Sequence, residues 1–153
     1  MDDSVVRAMA KWPDVPDVYG WLSLDRRGNW LLKAERIGNH ALREFICRNY
    51  TSDAQGRWYF QNGPQRVFVK LAYTPLVVRH EGEALLDHCG RRFVSNAAFL
   101  DEEGSVLLLG SPGVALLDDR DLERYSDAAG RLARISRDDA PGRFGYVGDP
   151  APG

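Results

Sequence analysis

Apolar and polar positions alternate along much of the chain. In Val18-Tyr19-Gly20-Trp21-Leu22-Ser23-Leu24, residues Val18, Gly20, Leu22 and Leu24 fall on one face and Tyr19, Trp21 and Ser23 on the other. That is the period of a strand. It stops at Asp25-Arg26-Arg27-Gly28-Asn29, a turn whose glycine takes positive φ at little cost, and Trp30-Leu31-Leu32-Lys33 returns as the second arm of a hairpin. The period then lengthens. Asn39 has the side chain of an N-cap, and Leu42, Phe45, Ile46 and Tyr50 recur at helical spacing. A second hairpin is predicted from Arg57-Gln61 and Arg66-Tyr73 around Asn62-Gly63, with Pro64 lengthening the loop. A third pairs Leu76-His80 with Ala84-Asp87 across Glu81-Gly82-Glu83.

One pattern occurs twice. Leu24-Asp25-Arg26-Arg27-Gly28-Asn29-Trp30-Leu31-Leu32 returns as Leu100-Asp101-Glu102-Glu103-Gly104-Ser105-Val106-Leu107-Leu108, that is, Leu-Asp-x-x-Gly-x-apolar-Leu-Leu. Each copy precedes a helix. Leu42-Arg43-Glu44-Phe45 falls on Leu122-Glu123-Arg124-Tyr125, with Asp118 or Asp119 as the second N-cap. The expected fold is therefore α+β: antiparallel hairpins with two short helices, in two similar strand-strand-helix halves sharing one sheet system. The divisions are an N-terminal arm (1–17), a first repeat (18–80), a second repeat (81–135) and a C-terminal tail (136–153). In the tail, Phe144 and Tyr146 flank Gly145 and predict a short edge strand.

From Gly20 to about Pro75, the run of strand, Asp-x-x-Gly turn, aromatic second strand, Ile37-Gly38, helix with Leu42, then Pro64-Gln65-Arg66-Val67-Phe68-Val69 resembles an uncharacterised proteobacterial family, a domain of unknown function. The resemblance implies an α+β fold of two repeated motifs and a role in signalling or ligand sensing. Its motifs are glycine and apolar positions, so it carries no catalytic residue.

Composition narrows the setting. In 153 residues, 20 Lys+Arg stand against 22 Asp+Glu, and only Arg26-Arg27 and Arg91-Arg92 concentrate positive charge. The basic stripe of a nucleic-acid domain is missing. Apolar runs such as Val106-Leu109 and Val114-Leu117 are four residues long, far below the ~20 that cross a bilayer. The acidic start Met1-Asp2-Asp3 does not read as a secretory signal, and two cysteines allow no disulfide framework. The expectation is a cytoplasmic protein, a monomer or weak homodimer, with both thiols reduced and no nucleic-acid or membrane partner.

Candidates for chemistry are few. Asp87-His88-Cys89 is the densest cluster, and His80 on the partner strand adds a further ligand type for zinc. Adjacent strand residues point to opposite faces, so no metal site is expected there. His40 stands alone, and Cys47 lies beside the apolar stripe of its helix, where a buried thiol is inert. Gly110-Ser111-Pro112-Gly113 lacks the spacing and lysine of a phosphate loop, and Asp118-Asp119-Arg120-Asp121 lacks the turn glycine of a calcium loop. Trp21, Trp30 and Trp58 read as strand packing, and Trp12, in an extended arm, as packing on its own domain, with engagement of a partner as the alternative. The polar loop Gln61-Asn62-Gly63-Pro64-Gln65-Arg66 remains as a surface for an anionic or peptide ligand. Gln61, Asn62, Gln65 and Arg66 are thus the expected ligand- or partner-binding residues. The function expected is a non-catalytic module for an unidentified protein or small molecule, without cofactor or metal. The alternative is a small hydrolase or transferase using Asp87-His88-Cys89.

Overall fold

The computed structural model describes residues 1–152. The fold is α+β, as the alternating and helical periods require, with two sheets rather than one sheet system. Two units divide the chain: Met1–Asp25, Asn29–Ala72 and the segment from Tyr146 onward form the first, and Arg26–Gly28 with Tyr73–Gly145 form the second.

The first unit is an open sheet of six strands, β1 (Val18–Leu24), β2 (Trp30–Leu32), β3 (Glu35–Arg36), β4 (Tyr50–Ser52), β5 (Trp58–Asn62) and β6 (Gln65–Leu71), in the order β3-β2-β1-β6-β5-β4. All neighbours are antiparallel except β1 and β6, which run parallel. One face carries the core: Leu22, Leu24, Trp30, Tyr50, Trp58, Phe60, Val67 and Val69 are all buried. Helix α2 (His40–Arg48) adds Ile46 to that core and sets Phe45 edge-on to Phe60, ring centroids 5.5 Å apart. It starts as predicted, with the Asn39 side chain accepting the Leu42 N–H at 2.9 Å.

Two features of this unit differ from the sequence expectation. The N-terminal arm is not extended but opens as helix α1 (Asp3–Lys11), which buries Val5 and is held by the Asp2 N–H donating to Asn49 Oδ1 at 2.8 Å. Trp12, at its C-terminal end, is 57% exposed and does not pack inward. The β5–β6 connection is also tighter than expected. Asn62 pairs with Gln65, so only Gly63, at φ +57°, and Pro64 make the turn; proline follows the positive-φ glycine instead of lengthening the loop.

The second unit contains β7 (Leu76–Glu81), β8 (Ala84–Asp87), β9 (Arg92–Leu100), β10 (Val106–Ser111), β11 (Val114–Leu117) and β12 (Ala133–Arg134). Strands β10-β11-β7-β8-β9 follow one another and β9 pairs back onto β10, so the sheet closes on itself. A ring of five strands cannot alternate direction all the way round. The parallel pair β7–β11 absorbs the odd strand. Leu76, Val78, Leu107, Leu108, Val114, Ala115 and Leu117 are buried in it. At Gly110 a register shift lets β9 cross close to β10, and a Cβ there would run into the Val94 carbonyl oxygen and the Phe93 ring. After β11 the second predicted helix forms as a 3-10 segment, Asp119–Arg131, with Asp118 as its cap accepting the Arg120 N–H. In the predicted tail, Ala140–Phe144 is a short helix, α3, ended by Gly145 at φ +73°. Past Gly145 the chain rejoins the first unit, where Val147 makes the edge-strand contact with Arg57 as a single bridge.

The repeated motif forms a hairpin both times, Leu24 facing Trp30 and Leu100 facing Val106. The turn itself occurs four times. Asp25, Asp53, Asp87 and Asp101 each receive, on Oδ1, the N–H four residues on, at 2.8–3.0 Å. Each aspartate's own N–H donates to that same residue's carbonyl, and the glycine between, Gly28, Gly56, Gly90 or Gly104, holds φ between +79° and +82°. Carboxylate and glycine are thus two halves of one device: the first satisfies the turn's amides, the second supplies the left-handed backbone.

Candidate functional site

The sequence-expected residues do not form one surface. Gln61 is 2% exposed and its amide nitrogen donates to the Gly63 carbonyl at 3.1 Å, which ties its side chain to the turn. Asn62, Gln65 and Arg66 stay accessible. Gln65 Nε2 donates to the Pro16 carbonyl at 3.2 Å, and the Arg66 guanidinium lies 3.9 Å from the centre of the Tyr59 ring. Phe68, on the same face, is 1% exposed and stacks on Tyr19 at 4.9 Å. A bulge at Gly20 brings Tyr19 there.

The Asp87-His88-Cys89 cluster is a turn. Asp87 Oδ1 accepts the N–H groups of Cys89 and Arg91, and Oδ2 accepts Arg91 Nε at 3.1 Å. His88 Nδ1 accepts the Val77 N–H at 3.3 Å, and its Cβ fills the space a side chain at Gly28 would need. Cys47 and Cys89 are both disulfide-bonded, which corrects the expectation of two thiols. A disulfide sulfur is no nucleophile toward an acyl or phosphoryl group. His40 lies on an exposed stretch of α2, 3.1 Å from Glu44. Among the described residues, no three His, Cys, Asp or Glu side chains gather as metal ligands.

A polar cluster that sequence spacing did not show forms where the 3-10 segment lies against β7. His80 Nε2 is 3.1 Å from the Tyr125 hydroxyl, and the His80 backbone N–H donates to Asp121 Oδ2 at 2.9 Å. Burial pushes the His80 imidazole below its ordinary pKa; Arg124 pushes the same way and Asp121 opposes. Burial alone would raise the wholly enclosed Asp118. The Arg120 side chain, its backbone N–H and its charge overcome this and hold the carboxyl at about 2. These groups join the segment to the sheet.

The open cleft lies on the first unit's outer face. It has a volume of about 470 Å³ and is lined by Trp21, Ser23, Leu31, Lys33, Lys70 and Ala72, with backbone from β1, β2 and β6. Ser23 faces Leu31 on one side and Lys70 on the other, which places three side chains on one surface. Trp21 is 50% exposed, and Lys33 Nζ sits 3.9 Å from the centre of its ring. The backbone makes that contact. Lys33 and Ala34 take φ +48° and +67° in the two-residue turn joining β2 to β3, and the Lys33 N–H donates to the Trp21 carbonyl at 2.8 Å. Such a turn favours Asn-Gly, and each non-glycine residue there costs roughly 1 kcal/mol. Lys-Ala gives no turn signal, so the cleft was invisible in the sequence.

The family model described as "Protein of unknown function (DUF2946)" matches residues 1–151. The chain belongs to this family. The solved structures similar to this DUF2946 protein include a DUF1285 family protein from Silicibacter pomeroyi DSS-3, at TM-score 0.56 and 16% identity over 83% of this chain and 85% of that one. Another is a DUF1285 family protein from Shewanella baltica OS155, at TM-score 0.49 and 11% identity over 70% of this chain and 91% of that one. The first likeness shows a shared fold. No curated protein matches the DUF2946 chain.

Proposed function

We propose that this protein is a non-catalytic binding module for a small molecule or protein partner. The observation that carries the reading is the commitment of its reactive groups to structure. Asp87 closes a turn, His88 accepts a backbone N–H, and Cys47 and Cys89 are spent in disulfide linkage. These commitments weigh against the hydrolase or transferase alternative, which needs a free thiol and an available base. Exposed Asn62 and half-buried Gln65 and Arg66, with the stacked guanidinium already in place, suit a partner bearing an acidic or amide group. A signalling or sensing role agrees with binding without turnover. No helix among the described residues is long and apolar enough to cross a membrane. A cytoplasmic setting requires the disulfide to be reduced there, whereas an oxidising compartment keeps it.

The test is a thermal-stability screen of the wild-type protein against a metabolite library, run beside hydrolase and transferase assays. A ligand of the folded state raises the unfolding midpoint in proportion to ligand concentration over its dissociation constant. The reading expects such a rise without turnover. Turnover that disappears in His88→Ala would overturn it.

A further inference from the structure

The outer-face cleft has the composition of a binding site. Its volume of about 470 Å³ falls within the ~300–1,000 Å³ of small-molecule sites. It joins apolar area, from Trp21, Leu31 and Ala72, to two ammonium groups, Lys33 and Lys70. Neither lysine has a carboxylate partner among the described residues, in a chain that carries 22 acidic residues. The cleft's own acid is engaged: Asp25 accepts the Asn29 N–H on Oδ1 and the Asn29 amide on Oδ2. The two cations therefore keep their charge for something else.

Lys33 is also placed rather than free. A surface lysine ordinarily sweeps a wide arc, and fixing it on a ligand costs rotamer entropy. Here a left-handed backbone turn and a hydrogen bond to the Trp21 carbonyl aim the stem, and the indole face holds the ammonium at 3.9 Å. Much of the ordering cost is met before any ligand arrives. Strain of this kind persists where the surroundings over-determine it.

We propose that this cleft binds a small amphipathic anion, with a carboxylate or phosphate between Lys33 and Lys70 and an apolar body against Trp21 and Leu31. The assignment rests on the binding-module reading and gives it a site and a ligand class.

The probes are benzoate and phenyl phosphate, with neutral benzyl alcohol and cationic benzylamine of similar size as controls, titrated into the wild-type protein by calorimetry. Both anions bind, and both controls bind at least about tenfold more weakly. Lys33→Gln and Lys70→Gln each weaken the anions about tenfold with unchanged unfolding midpoints, and Lys33→Arg restores most of the loss. Stronger benzoate binding assigns a carboxylate ligand, stronger phenyl phosphate binding a phosphate. Equal affinity for anion and alcohol, no saturable anion binding up to about 10 mM, or anion binding indifferent to both glutamine variants would each overturn the cleft assignment while leaving the binding-module reading standing. Release of inorganic phosphate from phenyl phosphate by the wild-type protein would instead sink the non-catalytic reading, and the cleft assignment with it.

Discussion

The two units of this chain use the same turn and reach opposite ends of sheet architecture. In the first, Asp25 and Asp53 close hairpins in a sheet that stays open, its edges β3 and β4 only two and three residues long. In the second, Asp87 and Asp101 close hairpins in a ring of strands. Closure directs one face of every strand inward, and Leu76, Val78, Leu108 and Ala115, which share a face, have almost no exposure. The open sheet buries one face and, on the other, covers Tyr59 and Phe68 while leaving Trp21, Ser23 and Lys70 accessible. Short edge strands limit edge pairing. The comparison teaches that accessible surface follows topology here: the ring turns one face of every strand inward, and the open sheet leaves part of its outer face accessible.

The strongest way to break the contrast is at Gly110. Gly110→Ala puts a methyl group against the Val94 carbonyl and the Phe93 ring, where β9 and β10 must approach to close the ring. The expected loss is about 3 kcal/mol in urea unfolding, because backbone, unlike a flexible side chain, has little room to give. Gly38→Ala in the open unit meets no neighbour within 4 Å and should stay within about 0.5 kcal/mol. Equal effects at the two sites would show that ring closure does not depend on this crossing.

A smaller effect separates the units by pH. The Asp118 carboxyl is depressed to about 2 by Arg120, so its stabilising contribution is fully present above the ordinary carboxylate pKa near 3.8 and is lost as pH falls toward about 2. That amounts to roughly 2 kcal/mol. In Asp118→Asn the acid limb of stability against pH should be shallower by this amount, measured by urea midpoints at pH steps between about 5 and 2. His80 acts at milder acidity and in the same direction. Its lowered pKa means that the unfolded chain takes the proton first, so stability declines as pH drops below about 6.5.

The smallest expected change sharpens the account of the cleft. Ala34→Gly relieves a left-handed backbone at the β2–β3 turn and should raise stability by about 0.5–1 kcal/mol, the gain at a positive-φ site outweighing the added freedom of the unfolded chain. A loss of stability would show that the turn is not strained, and that Lys33 is not held over Trp21 by the backbone.

Much of the local structure was legible from residue order alone. Alternation located β1, β2 and β5 to β8, although Tyr50 opens β4 instead of extending the helix; Asn39 and Asp118 cap the elements they were expected to start, and the paired Leu-Asp-x-x-Gly motifs both make hairpins. These signals are local, since a turn carboxylate reaches amides only a few residues away. Even so, the same turn at Asp53 and Asp87 went unseen as a repeat, because its flanking residues differ while its hydrogen bonds do not. Helix α1 was missed because Trp12 and two nearby prolines drew attention to an arm, although Val5 is the buried residue that docks it.

The sequence by itself determined the hairpins whose turns carry glycine and that the chain builds an α+β core. Only the tertiary structure decided that β1 lies parallel to β6 and β7 to β11, and that one sheet opens while the other closes. Parallel partners lie far apart along the chain, and their choice depends on how whole faces of side chains fit together, a term that no window of residues contains. The candidate site follows the same rule. Trp21 lies on β1, Lys70 on β6 and Lys33 in the β2–β3 turn, and their meeting depends on a left-handed turn at residues that ordinarily avoid one.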